Sequence, residues 1–380
     1  MTRVEFYRHT LGEEEAALIA STLEGVFLTA GPQTRSFEQR LAAYLGVADG
    51  VGLTSCTAAI FLALKAMDIG PGDEVITTPM TFIASSNSIL HVGATPVFVD
   101  CEAHTGNIEI DALEAAITPR TKAVLPVHLY GQLVDMRRLS EVAKRHNVRI
   151  IEDSAHCVEG ERDGVQPGQL GDVACFSFYA TKNLTSGEGG AVAGNDLDLL
   201  ERIRLLRSHG MNKEAASRYT AEYKHWDMLE LGYKFNMFDI QAAMLLPQLD
   251  RLDNQWKRRE EISRRYEEAF AAKGIEFPVV VEGSKSARHI FTIWVDPNIR
   301  DSFLDGLQKR EIGVAVNFRA VHTLTYYREK LGYERGMYPN AERIGDSTIT
   351  IPMYPKMTDE QVETVIEAVL AVHGELTATH

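Results

Sequence analysis

The stretch from residue 122 to 153, KAVLPVHLYGQLVDMRRLSEVAKRHNVRIIED, decides how the rest of the chain is read. It opens on one apolar run, KAVLPVH, and closes on another, VRIIED. Between them, MRRLSEVAKRH repeats apolar residues every three or four positions. That pattern predicts strand, amphipathic helix, strand. Both strands are apolar on both faces, as strands buried between two helix layers are. A helical crossover of this length joins parallel neighbours and runs right-handed, so the unit predicts a parallel sheet.

The same alternation continues outward. Upstream lie GVGLTS, DEVITTP and TPVFVD as strands, with CTAAIFLALKAM, FIASSNSILHVG and IDALEAAIT as helices. Two further amphipathic helices, EEEAALIASTLEGVFL and SFEQRLAAYLG, precede them. After residue 160 the pattern changes. DVACFSFYA and GGAVAGN read as strands whose connection is too short for a helical crossover, which predicts a locally antiparallel pair. LLERIRLLRSHG is helical up to Gly210. A long charged helix follows from 239 to 273, which Pro247 would kink or restart. It bridges to a second domain with strands HIFTIWVD, GVAVNF and STITIPM and helices DSFLDGLQKREI and DEQVETVIEAVLAVHGEL. The expected division is a large α/β domain over 1–245 and a smaller domain over 246–380.

The chain has 380 residues, 45% hydrophobic and 24% charged, with a net charge of -14. This acidity argues against nucleic-acid or anionic-membrane partners, which need a basic footprint. No apolar run reaches the roughly 20 residues that span a bilayer. The N-terminus lacks an apolar signal region, so a cytoplasmic location is expected. Cys56, Cys101, Cys157 and Cys175 are far apart and embedded in apolar stretches. They predict reduced core thiols and no metal site.

Three features of the first domain carry chemistry, and ligands of open parallel sheets sit at the carboxyl ends of strands. In LTSCTAAI, Ser55 and Thr57 stand where a strand hands over to a helix. They read as a cap, as an anion cup at the helix N-terminus, or as both. In VRIIEDSAHC, Glu152 and Asp153 end an apolar strand. One of them must leave the core or hold a partner, because a buried unpaired carboxylate is expensive. It either caps the next turn or faces a cationic ligand, with His156 close behind. Lys182, in FYATKNLTSGEGGAV, is either a solvated loop lysine or a Schiff-base nucleophile, for which the site must lower its basicity. GEGG is not the phosphate loop of nucleotide hydrolases. A phosphate cup, a strand-end acid and a lysine together fit pyridoxal phosphate (PLP).

At these residues the chain resembles the DegT/StrS sugar aminotransferases, PLP enzymes of fold type I. The resemblance runs through LTAGPQTRSFEQRLAAYLG, SCTAAIFLAL, IGPGDEVITTPMTFIASSNSI, GATPVFVD, AAITPRTKAVLPVHLYGQ, IIEDSAH, FSFYATKNLTSGEGG, LLRSHGM and LGYKFNMFDIQAA. It implies a mainly parallel seven-stranded sheet between helices and a smaller C-terminal α+β domain. It implies that Lys182 bonds the cofactor and shuttles the proton, and that Asp153 pairs with the pyridine nitrogen. His156 would face the phenolic oxygen, where the family often has Gln, and Phe82 would stack on the ring. Ser55, Cys56, Thr57, Ala58 and Ser177 would hold the phosphate. Asn236 would reach it from the partner subunit, in a segment, GYKFNM, that many members write Asn-Tyr-Arg-Met. Thr29, Lys234, Arg319 and His322 would contact substrate, and Arg207 and Lys213 are further candidates for its diphosphate.

The activity implied is transfer of an amino group from L-glutamate to a keto sugar nucleotide, at C4 of a UDP-linked 4-keto sugar, for surface polysaccharide or glycan biosynthesis. A homodimer with shared sites is implied as well. Some relatives carry histidine in place of the lysine and become dehydratases; Lys182 points to transamination. The alternatives are an aminotransferase for a cyclic ketone of the inosose type, and a non-catalytic regulatory protein on the same fold.

Overall fold

The computed structural model describes residues 3–212 and 225–378. In chain order the first elements are α1 (Glu13–Glu24), α2 (Pro32–Leu45), β1 (Asp49–Leu53), α3 (Cys56–Ala66), β2 (Glu74–Thr77), α4 (Ile83–His91), β3 (Thr95–Phe98) and α5 (Ile110–Ala115). Then come β4 (Thr121–Leu125), α6 (Met136–His146), β5 (Arg149–Asp153), β6 (Glu161–Arg162), β7 (Val173–Ser177), β8 (Gly190–Gly194), α7 (Leu197–Leu206) and α8 (Asp239–Ala271). The last are β9 (Ser284–Lys285), β10 (Phe291–Trp294), α9 (Arg300–Lys309), α10 (Thr325–Leu331), α11 (Pro339–Ser347), β11 (Thr348–Ile351) and α12 (Asp359–Thr377).

The seven-stranded sheet has the order β1-β8-β7-β5-β4-β2-β3. Only β8 is reversed: it pairs antiparallel with β7 and with β1, while the remaining pairs are parallel. The short β7–β8 connection therefore does what its length predicts. It also leaves β1 pointing the same way as β7, β5, β4, β2 and β3, so their carboxyl ends share one edge.

Alternate residues of each strand feed opposite helix layers. Ala123, Leu125 and Ile151 pack with α3 and α7, whereas Val124 and Ile150 pack with α5 and α6. Further along the sheet, Ala174, Phe176, Ala191 and Ala193 pack under α2 and α8. Burying each such large aliphatic side chain stabilises the fold by about 1.5–3 kcal/mol.

Helix α6 coincides with its predicted span because both ends are local. Asp135 caps it by accepting from Arg138 N at 3.0 Å, and Asn147 takes the left-handed conformation that ends it. Helix α2 starts at Pro32, ahead of the predicted Ser36, because its cap is remote. The Asp239 carboxylate accepts from Gly31 N, Gln33 N and Thr34 N at 2.8–3.2 Å.

Helix α8 runs unbroken through Pro247. Its first half joins the large-sheet core through Ala242, Leu245, Leu249 and Leu252. Its second half joins a C-terminal core through Ile262, Tyr266 and Phe270, together with β10, β11, α9 and α12. The expected boundary at 245/246 falls inside this helix. Val4 belongs to the C-terminal core and bridges to Ile312. The predicted strand GVAVNF is not one. Gly313 N donates to Val4 O at 2.8 Å and Ala315 bridges to Thr350, and the segment then leaves the small sheet toward the carboxyl edge of the large one.

Candidate active site

At that carboxyl edge lies a cavity of about 480 Å3. Ser55, Cys56, Thr57, Phe82, Asp153, His156, Ser177 and Lys182 all line it, so the strand ends gather residues scattered over more than a hundred positions.

The start of α3 forms one wall. Ser55 caps it, its Oγ accepting from Ala58 N at 3.0 Å. The N–H groups of Cys56 and Thr57 are in the first turn, where the helix supplies no acceptor, and they point along the positive end of its dipole. Gly190 is required here: a Cβ on it would lie 2.2 Å from the Ser55 carbonyl carbon and 2.5 Å from Cys56 N. Strand β8 thus presses backbone to backbone against the helix start and fixes its donors. Ala58 serves through its N–H and does not line the cavity itself. Ser177, at the end of β7, adds a half-buried hydroxyl.

The two carboxylates at the end of β5 point opposite ways, as adjacent strand residues must. Glu152 is fully buried on the far side. It accepts from Gly168 N and Gly171 N at 3.1 and 3.0 Å, and from His128 Nε2 at 2.8 Å. Asp153 faces the cavity. Ser85 Oγ donates to one oxygen at 2.7 Å and Ala155 N to the other at 3.1 Å. It is therefore held in place with carboxylate lone pairs still available.

Lys182 sits on the β7–β8 connection, half-buried and open to the cavity. Burial pushes its ammonium down to about 8, against the opposing pull of Cys56 and Asp153. Helix α8 fixes this connection. Gln248 Nε2 donates to Thr185 O at 2.8 Å while its Oε1 accepts from Thr185 N at 3.1 Å, and Gln241 Nε2 donates to Glu188 O at 2.7 Å. His156 is buried and held well below its usual basicity, by burial first and then by Lys182. Its Nδ1 accepts from Tyr130 N at 3.3 Å, so Nε2 carries the proton and is the donor. Phe82 occupies the N-terminal boundary position of α4 and is 56% exposed, its ring 5.7 Å from the Phe318 ring.

Other expected residues lie elsewhere. Thr29, Lys234 and Asn236 form a separate cluster: Lys234 Nζ donates to Asn236 Oδ1, and Asn236 Nδ2 to Thr29 Oγ1 at 3.3 Å. None of the three lines this cavity. Arg319 is exposed, next to the cavity-lining Phe318. His322 is buried, with Nε2 on Glu342 Oε1 at 3.0 Å, and does not reach the cavity. Arg207 is no diphosphate ligand: it is buried against Glu38 at 2.5 Å and donates to Gly52 O at 2.8 Å. Lys213 lies outside the described residues. Phe6, Tyr179, Thr181, Glu188, His289, Asn317 and Phe318 also line the cavity and were not foreseen. A histidine opening the otherwise apolar HIFTIWVD was the one signal available.

Among the described residues, no group of His, Cys, Asp or Glu is placed to hold a metal, and no helix is long and apolar enough to cross a membrane.

The DegT/DnrJ/EryC1/StrS aminotransferase family model matches residues 9–370. The spore coat polysaccharide biosynthesis protein SpsC of Bacillus subtilis (strain 168) is 45% identical over 366 residues, 94% of each chain. Spr1654 of Streptococcus pneumoniae, solved in a PLP form, has a TM-score of 0.92 at 34% identity, over 98% of this chain and 99% of that one. Helicobacter pylori PseC, an aminotransferase involved in the biosynthesis of pseudoaminic acid, has a TM-score of 0.91 at 28% identity, over 98% and 100%. A lysine, a strand-end acid and a donor-rich helix start are the groups that PLP chemistry asks of a protein. The chain is a PLP-dependent aminotransferase of the sugar-aminotransferase type, and it belongs to the DegT/DnrJ/EryC1/StrS aminotransferase family.

Proposed function

We propose that this enzyme moves an amino group from L-glutamate to C4 of a UDP-linked 4-keto sugar, in surface polysaccharide or glycan biosynthesis. The observation that carries the reading is that Lys182, Asp153 and the open start of α3 share one cavity. PLP, when bound, supplies an electron sink for the carbon that gains or loses a proton. The residues fit it. The N–H groups of Cys56 and Thr57, with the Ser55, Thr57 and Ser177 hydroxyls, suit its phosphate. Ala58 N keeps the Ser55 cap in place. The Asp153 carboxylate suits a protonated ring nitrogen, Phe82 offers a ring face, and the His156 Nε2–H donates to an oxyanion. Lys182 Nζ would hold the cofactor and would then accept and return the proton. That task needs an amine that is partly neutral near pH 7–8, which the lowered basicity of Lys182 provides.

A second copy of the chain is the proposed partner. Val26, Leu28, Leu229, Leu231 and Phe238 are exposed apolar side chains in the segments that carry Thr29, Lys234 and Asn236. A face of that kind marks an interaction surface. It would bring Thr29, Lys234 and Asn236 to the neighbouring site. Arg319, exposed and next in the chain to the cavity-lining Phe318, is the cation we assign to the diphosphate.

The expected result of a substrate panel is a kcat/KM for UDP-linked 4-keto sugars at least about tenfold above that for dTDP-linked ones. One well-matched contact supplies about 1–3 kcal/mol of such discrimination. Inososes should be inactive; a preference for an inosose would overturn the reading.

A further inference from the structure

His289 comes from the C-terminal side of the molecule, just ahead of β10, yet its Nε2 stands 3.5 Å from Lys182 Nζ. Its backbone is held in place. Ala287 N donates to Gly131 O at 2.8 Å, and the Arg288 guanidinium pairs with Glu260 at 2.7 Å and Glu267 at 2.5 Å on α8.

The ring's protonation is also fixed. Asn183 Nδ2 donates to both Glu159 oxygens, at 3.2 and 3.0 Å, and to Ala287 O at 3.0 Å. Three acceptors on that side force the amide oxygen to the other, where it meets His289 Nδ1 at 3.2 Å. An amide oxygen only accepts, so Nδ1 must carry the proton and Nε2 is left with a bare lone pair. Glu159, which sets the amide, is itself fixed by a buried ion pair with Arg259.

We infer that His289 is a positioning residue for Lys182: its neutral Nε2 accepts a hydrogen bond from the free amine, in an orientation set by Asn183, Glu159 and Arg259. This inference rests on the aminotransferase reading only for its purpose. An amine that must leave and re-form its bond needs a parking place facing the cavity. The groups facing the pair are Asp153, Cys56, His156, Tyr7 and Arg259. Against them, the histidine stays neutral because burial first, and then its neighbours Lys182, His156 and Arg259, hold it well below its usual basicity.

The test uses the apoprotein, so it does not depend on turnover or on which ketone is accepted. Acetic-anhydride labelling across pH 6–10, read by mass spectrometry at the Lys182 peptide, gives the midpoint of the amine. A neutral acceptor favours the ammonium form, so removing it lowers the midpoint. His289→Leu should shift it down by about one pH unit from about 8. His289→Gln, whose amide end replaces Nε2, should restore most of the shift. A folded His289→Leu protein with an unmoved midpoint would overturn the inference. Imidazole 15N shifts of the unmodified protein decide independently of folding in the variants. The Nδ1–H tautomer at His289 supports the inference, and the Nε2–H tautomer overturns it. Failure of the aminotransferase reading would show separately, as a holoprotein that does not exchange amino groups.

Discussion

Lys182→Ala should cut turnover by about a thousandfold or more and abolish the absorbance of lysine-bound cofactor. Two losses combine. The cofactor loses its covalent anchor, and the moving proton loses its carrier, a role worth about 10²–10⁴-fold on its own. Cofactor should still bind without a covalent bond, because Asp153, Ser177 and the start of α3 are untouched by the change. The measurement is kcat on a matched donor and acceptor, alongside the near-visible spectrum. Retention of a tenth of the wild-type rate would remove Lys182 from its assigned role.

Asp153→Asn should lower kcat by about 10²–10³-fold while the protein stays folded, the range seen when one preorganised electrostatic contact is deleted. Both carboxylate oxygens already accept, from Ser85 Oγ and Ala155 N. An asparagine must turn its NH2 toward one of those donors, so the change loses a hydrogen bond as well as the charge. Glu152→Gln is the internal control. Its carboxylate lies on the other side of the strand, among Gly168, Gly171 and His128. It should lower thermal stability and leave the spectrum of bound cofactor unchanged. Equal effects of the two substitutions on kcat would contradict the assignment of Asp153 to the cofactor.

Much of this architecture could be read from the chain because the signals are local. Helix α6 carries its own cap and its own left-handed stop, and the β4–α6–β5 unit is apolar on both strand faces. Lys182, Asp153 and Ser55 could be singled out for the same reason: each is a polar residue in a stretch that otherwise reads as core. What depends on distant partners was not legible. The start of α2 is set by Asp239, more than two hundred residues away. Arg207 reads as a candidate for the diphosphate until Glu38 is seen beside it. GVAVNF has a strand's composition, but its only bridge to a strand is at Ala315. His289 is the clearest case. Its sequence places it in a strand of the second core, and only the tertiary fold brings it to Lys182.

The central claim is that Lys182 holds PLP and passes amino groups. The most direct measurement is the near-visible spectrum of the purified holoenzyme before and after L-glutamate is added. The account predicts a band of lysine-bound cofactor that gives way to the band of pyridoxamine phosphate, and its return when a UDP-linked 4-keto sugar follows. A protein that shows no lysine-bound band with excess PLP would contradict it.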